Sequence, residues 1–220
     1  MLARRTRSLL LLTALGAGFA CNPGNDDDGI DPDDINPAET QAYLERNFSK
    51  IPRITEALNR ILLTMNGNPQ PGVVFTQITG GVTGSVGVDL DNNGQQETTV
   101  NATVILNNPQ AGIAGGARLT ITAINAASTT GAAGVDVAMQ SSSTIVFSEG
   151  SGTLFPTEGP SVIDFADANL TVTLGATPLI LGSADFFAGN SSGTIIFENN
   201  GSGGFQIRVT SPDFDSFIVP

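Results

Sequence analysis

The sequence predicts a mainly β protein, and three observations support this fold class. From residue 72 onward, short runs of Val, Ile, Thr and Phe alternate with polar residues, which is typical of strands that bury one face. Gly, Asn, Ser and Pro separate these runs at short intervals. No helical segment lies between the runs, so successive strands are expected to pair as antiparallel hairpins.

We expect residues 68–220 to form one antiparallel β domain, either a curved meander or a partly open barrel. An N-terminal amphipathic helix is predicted to pack on its concave apolar face. The alternative is a two-sheet β-sandwich with the helix outside. Roughly 150 residues are enough for a single hydrophobic core in either arrangement.

Residues 1–20 have the layout of a secretory signal peptide. Arg4, Arg5 and Arg7 precede an uncharged, leucine-rich run from residue 8 to residue 20. The run is too short to cross a bilayer, which needs about 20 apolar residues. We therefore expect it to be removed on export.

Cys21 directly follows this leader, after Gly18, Phe19 and Ala20, and it is the only cysteine of the chain. The boundary resembles the leaders of bacterial lipoproteins, although Gly18 and Phe19 differ from the leucine and small residue usual there. The resemblance covers residues 1–21 and implies covalent lipid on Cys21 and attachment to a membrane of the bacterial cell envelope. Asn22 is not the aspartate associated with inner-membrane retention, which favours the outer membrane. The alternative is an ordinary signal peptide with Cys21 as a free thiol.

An acidic flexible tether is predicted for residues 21–36, which hold six aspartates and almost no apolar residue. Such a segment buries too little surface to offset the entropy of ordering.

A kinked amphipathic helix is predicted for residues 37–67, with Asn36 as N-cap and Asn66-Gly67 at its end. Pro52 is expected to kink it, or to split it with Ser49 capping the second half. Its apolar stripe comprises Leu44, Phe48, Ile51, Leu58, Leu62 and Met65.

Four of the basic residues, Arg46, Lys50, Arg53 and Arg60, lie on another face of this helix. One interpretation is that this face docks on an acidic sheet or partner. The other is a solvated face with Glu45 and Glu56 nearby.

The segment 89–97 is the most specific local pattern. Asp89, Asp91, Asn93 and Glu97 offer oxygen ligands around Gly94, as in the first half of an EF-hand loop, and so predict a weak Ca²⁺ site. The twelfth position of such a loop is Val100, so the usual bidentate glutamate is missing. The alternative is a simple hairpin turn, because Asn-Gly between alternating strands is a strong turn signal.

Two further glycine patterns are interpreted as structural. Gly80, Gly81 and Gly84 are expected to mark turns or bulges. The stretch 144–152 is echoed by 194–203, since each has a Thr-Ile-Val/Ile-Phe run followed by Gly-Ser-Gly, which suggests a repeated hairpin.

The amino-acid composition limits the classes of function that are expected. Nine basic residues stand against 21 acidic ones, a net charge of −12, so nucleic acid is not expected as a partner because binding its phosphates requires a basic patch. No histidine is present and Cys21 is expected to carry lipid, so no catalytic residues are predicted and we expect a protein that is not an enzyme. We expect a non-catalytic binding or structural module of the envelope, with an unidentified partner. The alternative is a carrier or sensor of an apolar ligand between helix and sheet. The phenylalanines that could line such a pocket are Phe186, Phe187, Phe197, Phe214 and Phe217.

Overall fold

The computed structural model describes residues 37–90, 93–125, 128–154 and 162–219. The predicted signal peptide, Cys21, the acidic tether, Asn36 and Asp91 lie outside these residues. Two helices come first, and eleven strands follow within the described part of the chain. Their bounds are α1 Pro37–Phe48, α2 Ile51–Met65, β1 Val74–Ile78, β2 Gly81–Val88, β3 Thr98–Leu106, β4 Ala117–Asn125, β5 Ser128–Met139, β6 Thr144–Leu154, β7 Ile163–Thr173, β8 Leu179–Ala188, β9 Ser191–Asn199, β10 Phe205–Thr210 and β11 Phe217–Val219.

All eleven strands belong to one antiparallel sheet, and each pairs with the next strand in sequence. Among the described strands, β1 and β11 are the two edges, so the sheet curves without closing. The predicted mainly β fold, a curved and partly open meander, is confirmed. The alternative of a two-sheet sandwich is wrong, because no second sheet exists in the described ranges.

Four neighbouring strand pairs contain bulges. The pairing register shifts once in each of the β4/β5, β5/β6 and β7/β8 pairs and twice in the β6/β7 pair. Glu149 and Asp167 have positive φ angles of 53° and 51° at two of these places. An extra residue bends a strand and increases its twist. The middle strands, where these shifts lie, are therefore expected to bend and twist more than regular strands.

The predicted repeated hairpin is only half right. The Gly201-Ser202-Gly203 copy is the turn between β9 and β10, but the Gly150-Ser151-Gly152 copy lies inside β6. Glu149 and the glycines after it form a bulge there, and the strand continues through it. Glycine is compatible with both a turn and a bulge, so the sequence pattern could not distinguish them.

The predicted kinked helix is split into α1 and α2, with Pro52 as the second residue of α2. Proline is accepted in a first turn because the N–H it lacks would have no helical partner there. Ser49 does not cap α2, as its hydroxyl donates to the Arg46 carbonyl at 2.7 Å and Lys50 occupies the cap position. The predicted C-terminus is confirmed: Gly67 has φ 83° and the N–H of Asn68 donates to Leu63 at 2.9 Å.

The predicted apolar stripe faces the sheet. Leu44, Phe48, Leu58 and Leu62 are buried, while Ile51 and Met65 are partly buried. Ile61 is also fully buried, although it was not part of the predicted stripe. Helix α2 packs against β1, β2 and β3, and α1 packs against β11. The two helices thus lie within the curve of the sheet.

The basic residues of the helices have local partners. Arg53 lies 3.7 Å from the exposed Glu56, Lys50 donates to Asn47 at 3.0 Å, and Arg60 donates to the carbonyl of Pro71. None of these three contacts reaches an acidic residue of the sheet. This arrangement favours the interpretation as a solvated face over docking on an acidic surface.

The two basic residues of the sheet each pair with a neighbouring strand. Arg118 on β4 contacts Asp136 on β5 at 3.0 Å, and Arg208 on β10 contacts Glu198 on β9 at 2.7 Å. Hydrogen bonds from Arg208 and then Gln206 lower the pKa of the Glu198 carboxyl. These pairs are exposed or half-buried, so they specify strand register more than they stabilise the fold.

Tyr43 offers a spectroscopic test of how α1 is docked. It is the only tyrosine of a chain without tryptophan, it is buried, and its burial raises the pKa of its phenol. We expect the phenolate absorbance of the native protein to develop at a higher pH than in denaturant, where the ordinary value of about 10 returns. Because the native state keeps this proton longer than the unfolded chain, stability should fall as pH rises past about 10. An ordinary midpoint in the folded protein would contradict the docking of α1.

Candidate functional site

A cavity of about 190 Å³ lies between α2 and the concave face of the sheet, and it is partly open to solvent. The helix supplies one wall and strands β4 to β9 supply the other. The lining residues are Ile51, Ile54, Thr55, Leu58, Asn59, Leu62, Ile121, Ala123, Gly131, Ala132, Ala133, Gly134, Val135, Phe147, Gly150, Ser151, Gly152, Thr153, Leu154, Phe165, Ala168, Leu170, Val172, Ile180, Ala184, Ile195 and Phe197.

Small residues of β5 and β6 create the space. The lining on these strands is largely glycine and alanine, including Gly131, Ala133, Gly150 and Gly152. The strands pack closely here, since a Cβ added to Gly152 would lie 2.6 Å from the Ala132 carbonyl oxygen. Apart from Val135, Phe147, Thr153 and Leu154, the lining residues of these two strands have side chains no larger than serine, which leaves space below the helix.

The cavity is apolar and none of its lining residues is charged. Asn59 is its most polar buried side chain, and both ends of the amide are already bonded to the backbone of Gly175. Its Nδ2 donates to the Gly175 carbonyl at 2.9 Å, and its Oδ1 accepts from the Gly175 N–H at 3.3 Å. A molecule in the cavity would therefore meet chiefly hydrocarbon.

The predicted phenylalanine pocket is only partly correct. Phe197 lines the cavity, but Phe186, Phe214 and Phe217 belong to an aromatic cluster around Phe48, and Phe187 is 50 % exposed. Sequence reasoning missed Phe147 and Phe165, which do line the cavity. The sequence signal that could have indicated the cavity was the Gly-Ala-Ala-Gly run at 131–134, which predicts a strand with little side-chain volume.

The segment predicted to bind Ca²⁺ connects β2 and β3. Asp89 accepts backbone N–H bonds from Asn93 at 3.0 Å and from Gly94 at 2.6 Å, and the Asn93 side chain accepts from Gln95 at 2.8 Å. These bonds, with Gly94 at φ 90°, are those of a tight connection between strands.

Glu97 closes this connection from the other side. Its Oε1 accepts from the Leu90 N–H at 3.1 Å and from the Thr98 hydroxyl at 3.3 Å, while its buried Oε2 has no hydrogen-bond partner. No group of three or more acidic, histidine or cysteine residues suited to a metal occurs in the described residues. Since Asp91 lies outside them, the Ca²⁺ site stays a prediction.

No helix among the described residues is long and apolar enough to span a membrane. Comparison of the chain with protein-family models, curated proteins and solved structures found no match.

Proposed function

We propose that this protein is a lipid-anchored protein of the bacterial envelope whose β domain binds an apolar ligand of the fatty-acyl class. The observation that carries the proposal is the uncharged, partly open cavity between α2 and the sheet. Concave apolar sites of this kind are where proteins hold small hydrophobic molecules.

Size and shape favour an extended chain. An engineered apolar cavity of about 150 Å³ binds a ligand as small as benzene, so a cavity of 190 Å³ is large enough for a comparable mass of hydrocarbon. Its helix wall runs from Ile51 to Leu62, a length of about 16 Å at 1.5 Å per residue. A space that follows the helix over this distance could hold a linear acyl chain along α2.

The absence of charged lining residues bears on the ligand's orientation. A carboxylate or phosphate headgroup carried into this cavity would lose its hydration without gaining a partner, which is costly. The headgroup is therefore expected at the opening, with only the hydrocarbon tail inside.

The leader supports a location outside the cytosol. Cys21 at the end of the signal sequence would hold the domain at a membrane, and the acidic residues after it would keep the domain away from anionic headgroups. A carrier or sensor anchored in this way would meet lipids and their breakdown products at high local concentration. The proposal needs no catalytic residue.

A chain-length series of saturated fatty acids tests the proposal. The protein is the full chain carrying Cys21→Ser, handled without detergent. Each methylene buried contributes about 0.8 kcal/mol, so affinity should rise roughly tenfold for every two carbons added. It should level off once the cavity is full. Calorimetry that shows no binding for any chain length would overturn the ligand proposal and leave a structural module.

A substitution that fills the cavity tests whether the ligand binds there. Ala133 lines it, whereas Ala138 lies on the same strand and is exposed outside it. We expect Ala133→Leu to weaken fatty-acid binding at least tenfold and to raise stability, because leucine fills empty apolar space. Ala138→Leu should leave the affinity unchanged. If Ala133→Leu binds like the parent protein, the ligand does not occupy this cavity.

A further inference from the structure

The two edges of the sheet differ in how they are protected. Edge strand β11 has three residues and follows Asp213 and Asp215, charges that discourage pairing with another strand. Edge strand β1 has five residues, all exposed, without charge or proline. Among its side chains, Val74 is 65 % exposed, and Phe75 and Ile78 are 38 % exposed.

The hydrogen bonds of the neighbouring strands show which backbone groups of β1 are directed outward. The Gly80 carbonyl accepts from the Leu106 N–H at 2.9 Å, so even-numbered residues of β2 direct their backbone groups toward β3. Odd-numbered residues of β2 are then directed toward β1, where they face Val74, Thr76 and Ile78. The N–H and C=O groups of Phe75 and Gln77 consequently point away from β2.

We propose that β1 of one copy pairs with β1 of a second copy, antiparallel and about a two-fold axis at Thr76. In this register Phe75 and Gln77 face each other across the axis, and both direct backbone N–H and C=O groups at the partner strand. On the outer surface of the sheet, Val74 of each copy faces Ile78 of the other copy, so this contact occurs twice. The most exposed apolar side chains of the edge thus cover one another, which is the kind of cross-strand contact that sets register.

Charge favours a second copy as the occupant of this edge. The chain has a net charge of −12, so two copies repel each other over most of their surfaces. No charged residue occurs between Arg60 and Asp89, a segment that includes β1 and β2. The β1 edge is therefore a place where two acidic chains can meet without like-charge contact.

The edge is also held in place within its own subunit. Arg60 on α2 donates to the carbonyl of Pro71, just before β1, and the side chain of Val73 packs against the core. Since β1 is already an ordered strand, pairing costs less ordering entropy than it would for a flexible segment.

Sedimentation of the full chain carrying Cys21→Ser, across a dilution series without detergent, tests the proposal. We expect a concentration-dependent dimer. Gln77→Pro removes an N–H that faces away from β2, and Val74→Lys adds a charge at the contact, so each should weaken the dimer at least tenfold. Thermal stability should stay nearly unchanged when it is compared at concentrations where the parent protein is also monomeric. Ile218→Lys, on the exposed part of β11, is the matched control and should dimerise like the parent protein.

A disulfide cross-link between the two copies tests the register in which their β1 strands pair. With Cys21 replaced, Thr76→Cys has a single cysteine placed opposite its own copy, and it should form a disulfide-linked dimer on mild oxidation, whereas Ile218→Cys should not. A protein that stays monomeric throughout, or a dimer unaffected by Gln77→Pro and Val74→Lys, overturns the proposal. Equal cross-linking at both positions would do so as well. Because these variants lie outside the cavity lining, fatty-acid binding should persist in all of them.

Discussion

Replacing Phe48 with alanine is expected to destabilise the protein by about 3–5 kcal/mol. Phe48 is the last residue of α1 and is completely buried. Its ring lies 5.5 Å from that of Phe186 in an edge-to-face arrangement, 6.0 Å from Phe165 and 6.5 Å from Phe217. The substitution removes the ring on which β7, β8 and β11 converge, and it leaves a cavity that the surrounding strands cannot fully close.

Two measurements check this prediction. Thermal or denaturant unfolding gives the loss of stability, for which a drop in Tm of roughly 6–20 °C is expected for a chain of this size. The phenolate titration of Tyr43 gives a local readout, because its pKa should move back toward its ordinary value if α1 loosens from the sheet.

Phe187 is the matched control, since it follows Phe186 on β8 but is 50 % exposed. Phe187→Ala should cost less than about 1 kcal/mol, as expected for a surface substitution. Equal losses for Phe48→Ala and Phe187→Ala would mean that the aromatic cluster does not hold α1 against the sheet.

The fold could be predicted from sequence where local rules decide it. Alternation of apolar and polar residues with a period of two leaves each strand one core face, and short connections leave antiparallel neighbours as the simplest arrangement. Asn66-Gly67 ended α2 as predicted because a glycine with positive φ satisfies the last carbonyls of a helix. These features depend on residues close together in the chain.

The cavity could not be predicted in the same way. It exists because Gly and Ala of β5 and β6 come to lie opposite Ile54 and Leu58 of α2, and residues so distant in sequence leave no local signal. Composition likewise did not show that Phe186 and Phe217 would join Phe48 and leave Phe197 at the cavity. Ser49 does not cap α2 because its hydroxyl donates to the Arg46 carbonyl in the last turn of α1, an alternative hydrogen bond that the sequence pattern did not exclude.

At Gly84, a contact with a helix that is distant in the sequence explains why the residue has to be glycine. It was interpreted as a turn or bulge residue, but it lies in the middle of β2 beneath α2. An added Cβ would lie 2.5 Å from Cγ2 of the fully buried Ile61 and 3.4 Å from Cε of Met65. The helix therefore packs on β2 at a distance that only glycine permits.

Gly84→Ala is accordingly expected to destabilise the protein by about 1–3 kcal/mol, the usual cost of overpacking a core. Gly87→Ala is the control on the same strand. There the added Cβ would meet Oε1 of Gln96 at 2.7 Å, the end of a flexible side chain that can move away. Denaturant unfolding should therefore show little change for Gly87→Ala.

A double-mutant cycle with Ile61→Ala separates the helix contact from any backbone effect of alanine at position 84. Ile61→Ala alone should cost about 2–5 kcal/mol through the cavity it leaves. In that background the Cγ2 methyl is gone, so Gly84→Ala should become neutral or stabilising, with a coupling of about 1–3 kcal/mol. Additive losses would instead place the cost of Gly84→Ala in the strand itself, and α2 would then not be seated on β2 at this point.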